Sequence, residues 1–273
     1  MELKTDEHIK KLNTFGVDAK AKNFAEIRSI EDLKQAREHL RQQPQDFMVI
    51  GGGSNVLFRE DYPGFLLRMM IPGFEKIRED DEHYFVRAGA GEVWHSFVRK
   101  MLDAGMPGLE NLAYIPGTVG AAPIQNIGAY GLEAAEFIDS VECFDMDTGE
   151  ERTLTNEECD FGYRHSTFKK PENRHLVITA VTFKLPKNWV PNTSYKALAE
   201  EIPRTFPSGR LFLRDFAAPQ KTSLAGEVRK RRKFLQESCR RQRDFYKSSS
   251  DQSFFSFLSF GRRTFQAFRR LAD

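Results

Sequence analysis

Residues 114–131 read YIPGTVGAAPIQNIGAYG, and the interpretation of the whole chain turns on them. The stretch is rich in Gly, Pro and Ala, yet it also carries Ile115, Val119, Ile124 and Ile127. A solvated linker would have Ser, Lys or Glu where these apolar residues stand, so the loop is expected to be buried. Gly and Ala let a backbone come close to something flat or phosphorylated, because no side chain intervenes. Gln125 and Asn126 add amide donors and acceptors suited to a polar heterocycle. A tightly packed structural loop and a nucleotide site both account for this composition.

Upstream, 45–50 reads as a buried strand that runs into Gly51, Gly52, Gly53, Ser54 and Asn55. Three consecutive Gly after a strand leave backbone N–H groups free to converge on an anion, and Ser54 and Asn55 bring further donors. A tight turn between two strands is the plainer alternative. The stretch is neither GxGxxG nor GxxxxGK[ST], which argues against a Rossmann or P-loop fold.

Other elements follow from periodicity and punctuation. Ser29 with Glu31 and Asp32 marks a helix start, continued by Leu33, Ala36 and Leu40. Strands are expected at 65–70 and 83–88, and 92–104 is an amphipathic helix closed by Gly105. Segments 137–145 and 152–154 flank Asp147-Thr148-Gly149 as a hairpin. Thr155 is placed to cap a short helix through Cys159, and 175–185 alternates like a long strand. Short strands mixed with a few helices, without regular βαβ alternation, predict an α+β fold. Within 161–166 (FGYRHS), Arg164 could grip a carboxylate or phosphate bidentately, or serve as a half-exposed structural residue. His95 and His165 have no second ligand at useful spacing, so no metal site is expected.

Composition sets the limits. The 273 residues are 40% hydrophobic, enough for a real core, with no apolar run of membrane-spanning length. The opening MELKTDEHIKKLNTFG has no apolar signal core, and three Cys (143, 159, 239) cannot pair completely; a cytoplasmic location is expected. The net charge of +2 hides a split: 204–273 holds 17 Lys and Arg against 6 Asp and Glu, leaving 24 against 33 before it. That is a net of +11 against −9, so the two parts need separate explanations.

Taken together, Asn13-Thr14-Phe15-Gly16, GGGSNVLF at 51–58, GMPGLENLAYIPGTVGAAPIQNIGAYG at 105–131, FGYRHSTFK at 161–169 and SYKAL at 194–198 resemble the UDP-N-acetylenolpyruvoylglucosamine reductase family. The resemblance runs from about residue 12 to 198. It implies an N-terminal segment at 1–14, then an FAD-binding domain of the vanillyl-alcohol-oxidase type, in two subdomains, over 15–185. A truncated substrate domain would begin at 186–203. Gly51, Gly52, Gly53, Ser54 and Asn55 would hold the FAD pyrophosphate. Ile115, Pro116, Gly117, Gly120, Ala121, Ala122, Asn126, Gly128 and Tyr130 would enclose the flavin and adenine-side groups. NADPH would reduce the flavin, which passes hydride to the enolpyruvyl double bond of a UDP-sugar in peptidoglycan precursor synthesis. Arg164 matches the family's catalytic Arg, which polarises the substrate carboxylate, and Tyr195 matches a Tyr on the substrate diphosphate. The resemblance also implies a monomer, with no specific nucleic-acid or membrane partner.

The resemblance stops before 204–273, which holds 11 of the 24 Phe and follows neither a helical nor a strand period. The family would next supply KLPxP…GNAGSFFKNP, whose Ser protonates the carbanion, and later a Glu that assists. Back-translated with permitted codons and read one nucleotide later, VRKRRKFLQESCR at 228–240 can spell SGNAGSFFKNPVV. Lys221-Thr222-Ser223 can spell KLP and Ala225 the second Pro, while QAFRRLAD at 266–273 can spell KLSAGWLI, another family stretch. A frameshift between about 198 and 221 is therefore expected, together with loss of activity. The alternative is a non-catalytic flavin-domain remnant whose basic tail binds nucleic acid or membranes through charge alone. A purposeful nucleic-acid module, with Phe stacking on bases between Arg residues, ranks lowest.

Overall fold

A computed structural model describes residues 1–190 and 192; Tyr195 and the tail at 204–273 lie outside the described residues. The first sheet contains β1 (Lys4–His8), β2 (Lys20–Ile27), β3 (Phe47–Ile50) and β4 (Tyr62–Met69), in the order β1-β2-β4-β3. β1 runs antiparallel to β2, whereas β2 and β3 both run parallel to β4. A central parallel strand is covered on both faces and tolerates an unbroken apolar run. β4 shows this directly: Phe65, Leu67 and Met69 join the main core, while Leu66 joins a smaller cluster with Ile9, Phe24, Ile50 and Phe58 on the opposite face. The helix α1 (Ile30–Gln42) begins where Ser29 Oγ accepts the amide of Asp32, and it buries Leu33 and Ala36 in the main core.

The second sheet is antiparallel throughout, in the order β10-β9-β11-β6-β5. Its strands are β5 (Phe74–Glu79), β6 (His83–Gly89), β9 (Ile138–Asp145), β10 (Glu151–Thr155) and β11 (Leu176–Pro186). Two-residue strands β7 (Gly128–Ala129) and β8 (Leu132–Glu133) form a separate ribbon. The second helix, α2 (Trp94–Asp103), packs Trp94 and Phe97 against Phe183 of β11, with ring centroids 5.8 and 5.2 Å apart. The ladder between β9 and β11 is irregular between Ile178 and Ala180. Thr179, within that irregularity, donates its hydroxyl to the Glu142 carbonyl and accepts the amide of Ala90 through its own carbonyl. These two bonds tie the end of β6 to the sheet centre through the bulge.

Mixed strands and few helices make this an α+β fold, as the pattern of short strands predicts. One local expectation fails. Thr155 does not start a helix: residues 156–160 form turns, although Thr155 Oγ1 accepts the amide of Glu158 and the Thr155 amide donates to the Glu158 carboxylate. Asp160 sits at φ +49°, which ends the turn before it can propagate. The sequence also hides β1 and β5, whose polar residues pair at sheet edges rather than filling the core. The first fourteen residues thus supply a strand to the first sheet.

Candidate cofactor-binding cleft

The loop at 51–55 leaves β3 and meets the loop at 114–131 back to back. A β-carbon on Gly52 would stand 3.4 Å from the Gly117 Cα, and one on Gly51 would collide with Thr118 Oγ1. Ser54 donates its hydroxyl to the Pro116 carbonyl at 3.2 Å, and Asn55 donates its amide to Gln125 Oε1 at 3.2 Å. Gly53, at φ +62°, has the Leu12 carbonyl where a side chain would begin, and its own carbonyl accepts the Thr14 amide at 3.0 Å. Its achiral backbone is required on both counts.

The longer loop is hung by backbone bonds from the connection between β6 and α2. The Val119 amide donates to Glu92, Gly120 to Ala90, and Trp94 to the Gly117 carbonyl, at 2.9, 2.9 and 3.1 Å. Gly120 and Ala122 face inward, and a β-carbon on Gly120 would lie 2.5 Å from that of Ala90. Ile115, Gly117, Ala121, Gly128 and Tyr130 are half-buried, and Pro116 is exposed at the rim. Tyr114, at φ +61°, stacks on His95 with centroids 4.1 Å apart and donates its amide to His95 Nδ1 at 3.4 Å. Two adjoining loops with so little side chain suit a flat, phosphorylated group.

Arg164 lies at the tip of a tight turn, with Gly162 and His165 exchanging both backbone hydrogen bonds at 3.1 and 3.0 Å. Its φ is +53°, and its neighbour Tyr163 is 83% exposed. Asn126 is 1% exposed, its side-chain amide is engaged inside the fold, and its backbone N–H donates to the Pro123 carbonyl at 3.3 Å, so the structure does not turn it toward a ligand. Sequence reasoning passed over Thr118, whose hydroxyl fills the space beside Gly51; a buried hydroxyl inside a Gly-rich run was the available signal.

The FAD binding domain family matches residues 21–155, which span both glycine loops. A UDP-N-acetylenolpyruvoylglucosamine reductase from Burkholderia ambifaria is 45% identical over 202 residues, covering 74% of this chain. The chain belongs to the UDP-N-acetylenolpyruvoylglucosamine reductase family. A relative of that name from Burkholderia mallei is 48% identical over 202 residues, and the match spans 58% of the length of either relative. The crystal structure of the Thermus caldophilus reductase is similar with a TM-score of 0.52 and 30% identity, covering 73% of this chain and 66% of that one. A solvent-stable cholesterol oxidase gives the same TM-score at 14% identity over 68% of this chain and 38% of its own, a likeness of fold alone. The stretch 21–155 is thus a domain of the FAD binding family.

Proposed function

We propose that FAD lies across the two glycine loops, with its diphosphate at 51–55 and its ring systems along 115–130. The domain would serve a reductase converting UDP-N-acetylglucosamine enolpyruvate to UDP-N-acetylmuramate, with NADPH as co-substrate. The observation that carries this reading is the close approach of the two glycine loops at Gly52 and Gly117, both inside the FAD binding domain match. FAD, when bound, supplies the hydride chemistry. The protein supplies position and charge: Gly51, Gly52 and Gly53 offer amides, Ser54 and Asn55 close the rim, and Arg164 meets the substrate carboxylate. Tyr195 belongs with the substrate diphosphate. A cytoplasmic monomer is the setting that fits this role.

The chain as written lacks the GNAGSFFKNP segment, and its charge and composition change sharply over 204–273. We attribute this to a shifted reading frame. Loss of a general acid typically costs a factor of about 10² to 10⁴, and loss of substrate positioning costs more. FAD titration by fluorescence and an NADPH oxidation assay on the 273-residue chain test the reading. Weak or absent FAD and no turnover are expected, with both recovered when one nucleotide restores the frame. Turnover by the 273-residue chain, its mass verified, would refute the frameshift. A frame-restored chain that binds FAD but leaves the enolpyruvyl substrate unchanged would refute the reductase assignment. Resequencing the DNA across codons 198–221 addresses the frame directly.

A further inference from the structure

The turn that carries Arg164 is fastened at both ends to the cleft loop. At its start, Asn126 Nδ2 donates to the Gly162 carbonyl at 3.2 Å. Just past its end, Ser166 Oγ donates to the Ile124 carbonyl at 2.7 Å. Ser166 is fully buried and Asn126 is 1% exposed, so both donors are held inside the fold. Both Asn126 Nδ2 protons are used, the second donating to Glu133 Oε2 at 2.7 Å, and Oδ1 accepts the Ala135 amide at 2.9 Å. That last contact fixes which end of the amide is oxygen, because a flipped group would set two donors against each other. Asn126 itself sits at φ +45°, a conformation that Asn tolerates better than most residues.

We propose that Asn126 and Ser166 are positioning residues for Arg164, locking its turn to the cofactor loop so that turn and loop move as one body. The proposal rests on the reading of Arg164 as the substrate-carboxylate residue. Without the two bonds, the exposed tip would hang on the reciprocal Gly162–His165 pair, on Lys169, whose Nζ donates to the Arg164 carbonyl at 2.9 Å, and on the Thr167 amide, which donates to the Cys159 carbonyl at 2.8 Å. A two-residue turn held that way would open easily. Rigid support of the turn matters because a charged group aids a reaction only when held where charge develops.

The test uses the full 273-residue chain and no substrate, so its outcome is independent of the reductase assignment. Trypsin cleavage after Arg164 is followed by fragment mass, with cleavage after Arg78 on the exposed edge strand β5 as internal reference. Ser166→Ala is expected to speed the Arg164 cut about tenfold relative to the Arg78 cut, and Ser166→Thr, which keeps the hydroxyl, to restore protection. Equal acceleration at both sites would mean a purely structural role and would overturn the proposal. Hydrogen exchange on the unmutated chain guards against variants that fail to fold. The His165 and Ile127 amides are expected to exchange within about threefold of each other, as parts of one body. Exchange of His165 more than about a hundredfold faster than Ile127 would overturn the proposal as well.

Discussion

Glu110 beside the cleft and Asp145 at the β9–β10 corner are 2% and 1% exposed, yet their carboxyl groups are pushed in opposite directions. For Glu110, burial dominates and raises the pKa, against a lowering by the Gly108 amide, its own backbone amide and the Trp189 indole. Gly108 N–H reaches both its oxygens, at 2.9 and 3.0 Å, and Trp189 Nε1 donates to Oε2 at 3.2 Å. All of these donors are neutral. Burial also pulls hardest on Asp145, but the amides of Thr148 and Asp147, then His175 and Arg152, together outweigh it and hold the carboxyl below the ordinary range. Arg152 Nη2 stands 3.0 Å from Oδ2 as an ion pair without hydrogen-bond alignment, and His175 Nε2 lies 3.7 Å away. The Glu110 carboxyl is the more deeply desolvated of the two, so burial prevails there. At Asp145 two amide donors, reinforced by His175 and Arg152, prevail over a weaker burial cost.

The largest test of that contrast is Asp145→Ala. It strips two amides of their acceptor and leaves Arg152 and His175 without the carboxylate between them. We expect a loss of about 3 kcal/mol in urea unfolding at neutral pH, at the low end for a broken buried pair because Arg152 can return to water. Stability against pH should separate the two groups next. A folded pKa above the reference 4.5 makes the Glu110 contribution full below 4.5 and lost as pH rises through the folded value. A folded pKa below the reference 3.8 makes the Asp145 contribution full above 3.8 and lost as pH falls through its folded value. Glu110→Gln should accordingly lie within about 1 kcal/mol of the parent at neutral pH. Its stability relative to the parent should fall as pH drops from above the folded Glu110 pKa to 4.5 and level off below that, and a flat difference between those limits would break the account of Glu110.

The smallest effect belongs to a carboxylate with cations but no burial. Glu79 stands 3.2 Å from Lys76 and 3.5 Å from Lys187, and both pairs are open to solvent. Glu79→Gln should leave the unfolding midpoint unchanged in 0.15 M salt (on the order of one Debye length of about 8 Å). A clear shift there would mean that cations matter without burial.

Much of this could be read from residues alone, and the reasons for the rest are specific. Ser29 announced α1 because a cap and its acidic first turn are local chemistry. β4 showed itself as FLLRM because both of its faces are covered. β1, reading KTDEH, has no local reason to be extended; its register against Ala21, Asn23 and Phe24 supplies one. The glycine loops were legible by composition, but their meeting at Gly52 and Gly117 was not, since it depends on how both sheets stack. The Asn126 side chain points to Gly162, 36 residues further on, and no periodicity reports a bond of that span.

The central place of β11 in its sheet has a kinetic consequence. The β5–β6 and β9–β10 hairpins close over short loops, but β11 must join β9 to β6, and the chain between those two strands contains α2 and the whole cleft loop. Bringing such distant strands together carries the loop-closure cost that slows folding of non-local sheets. The cleft should therefore gain protection in the same phase as β11, late in refolding. Pulse-labelled exchange can check this by comparing the amides of Ala90 and Gly120 with those along β11. During synthesis the order favours the domain, because β11 ends at Pro186 and is made before any residue of the basic tail.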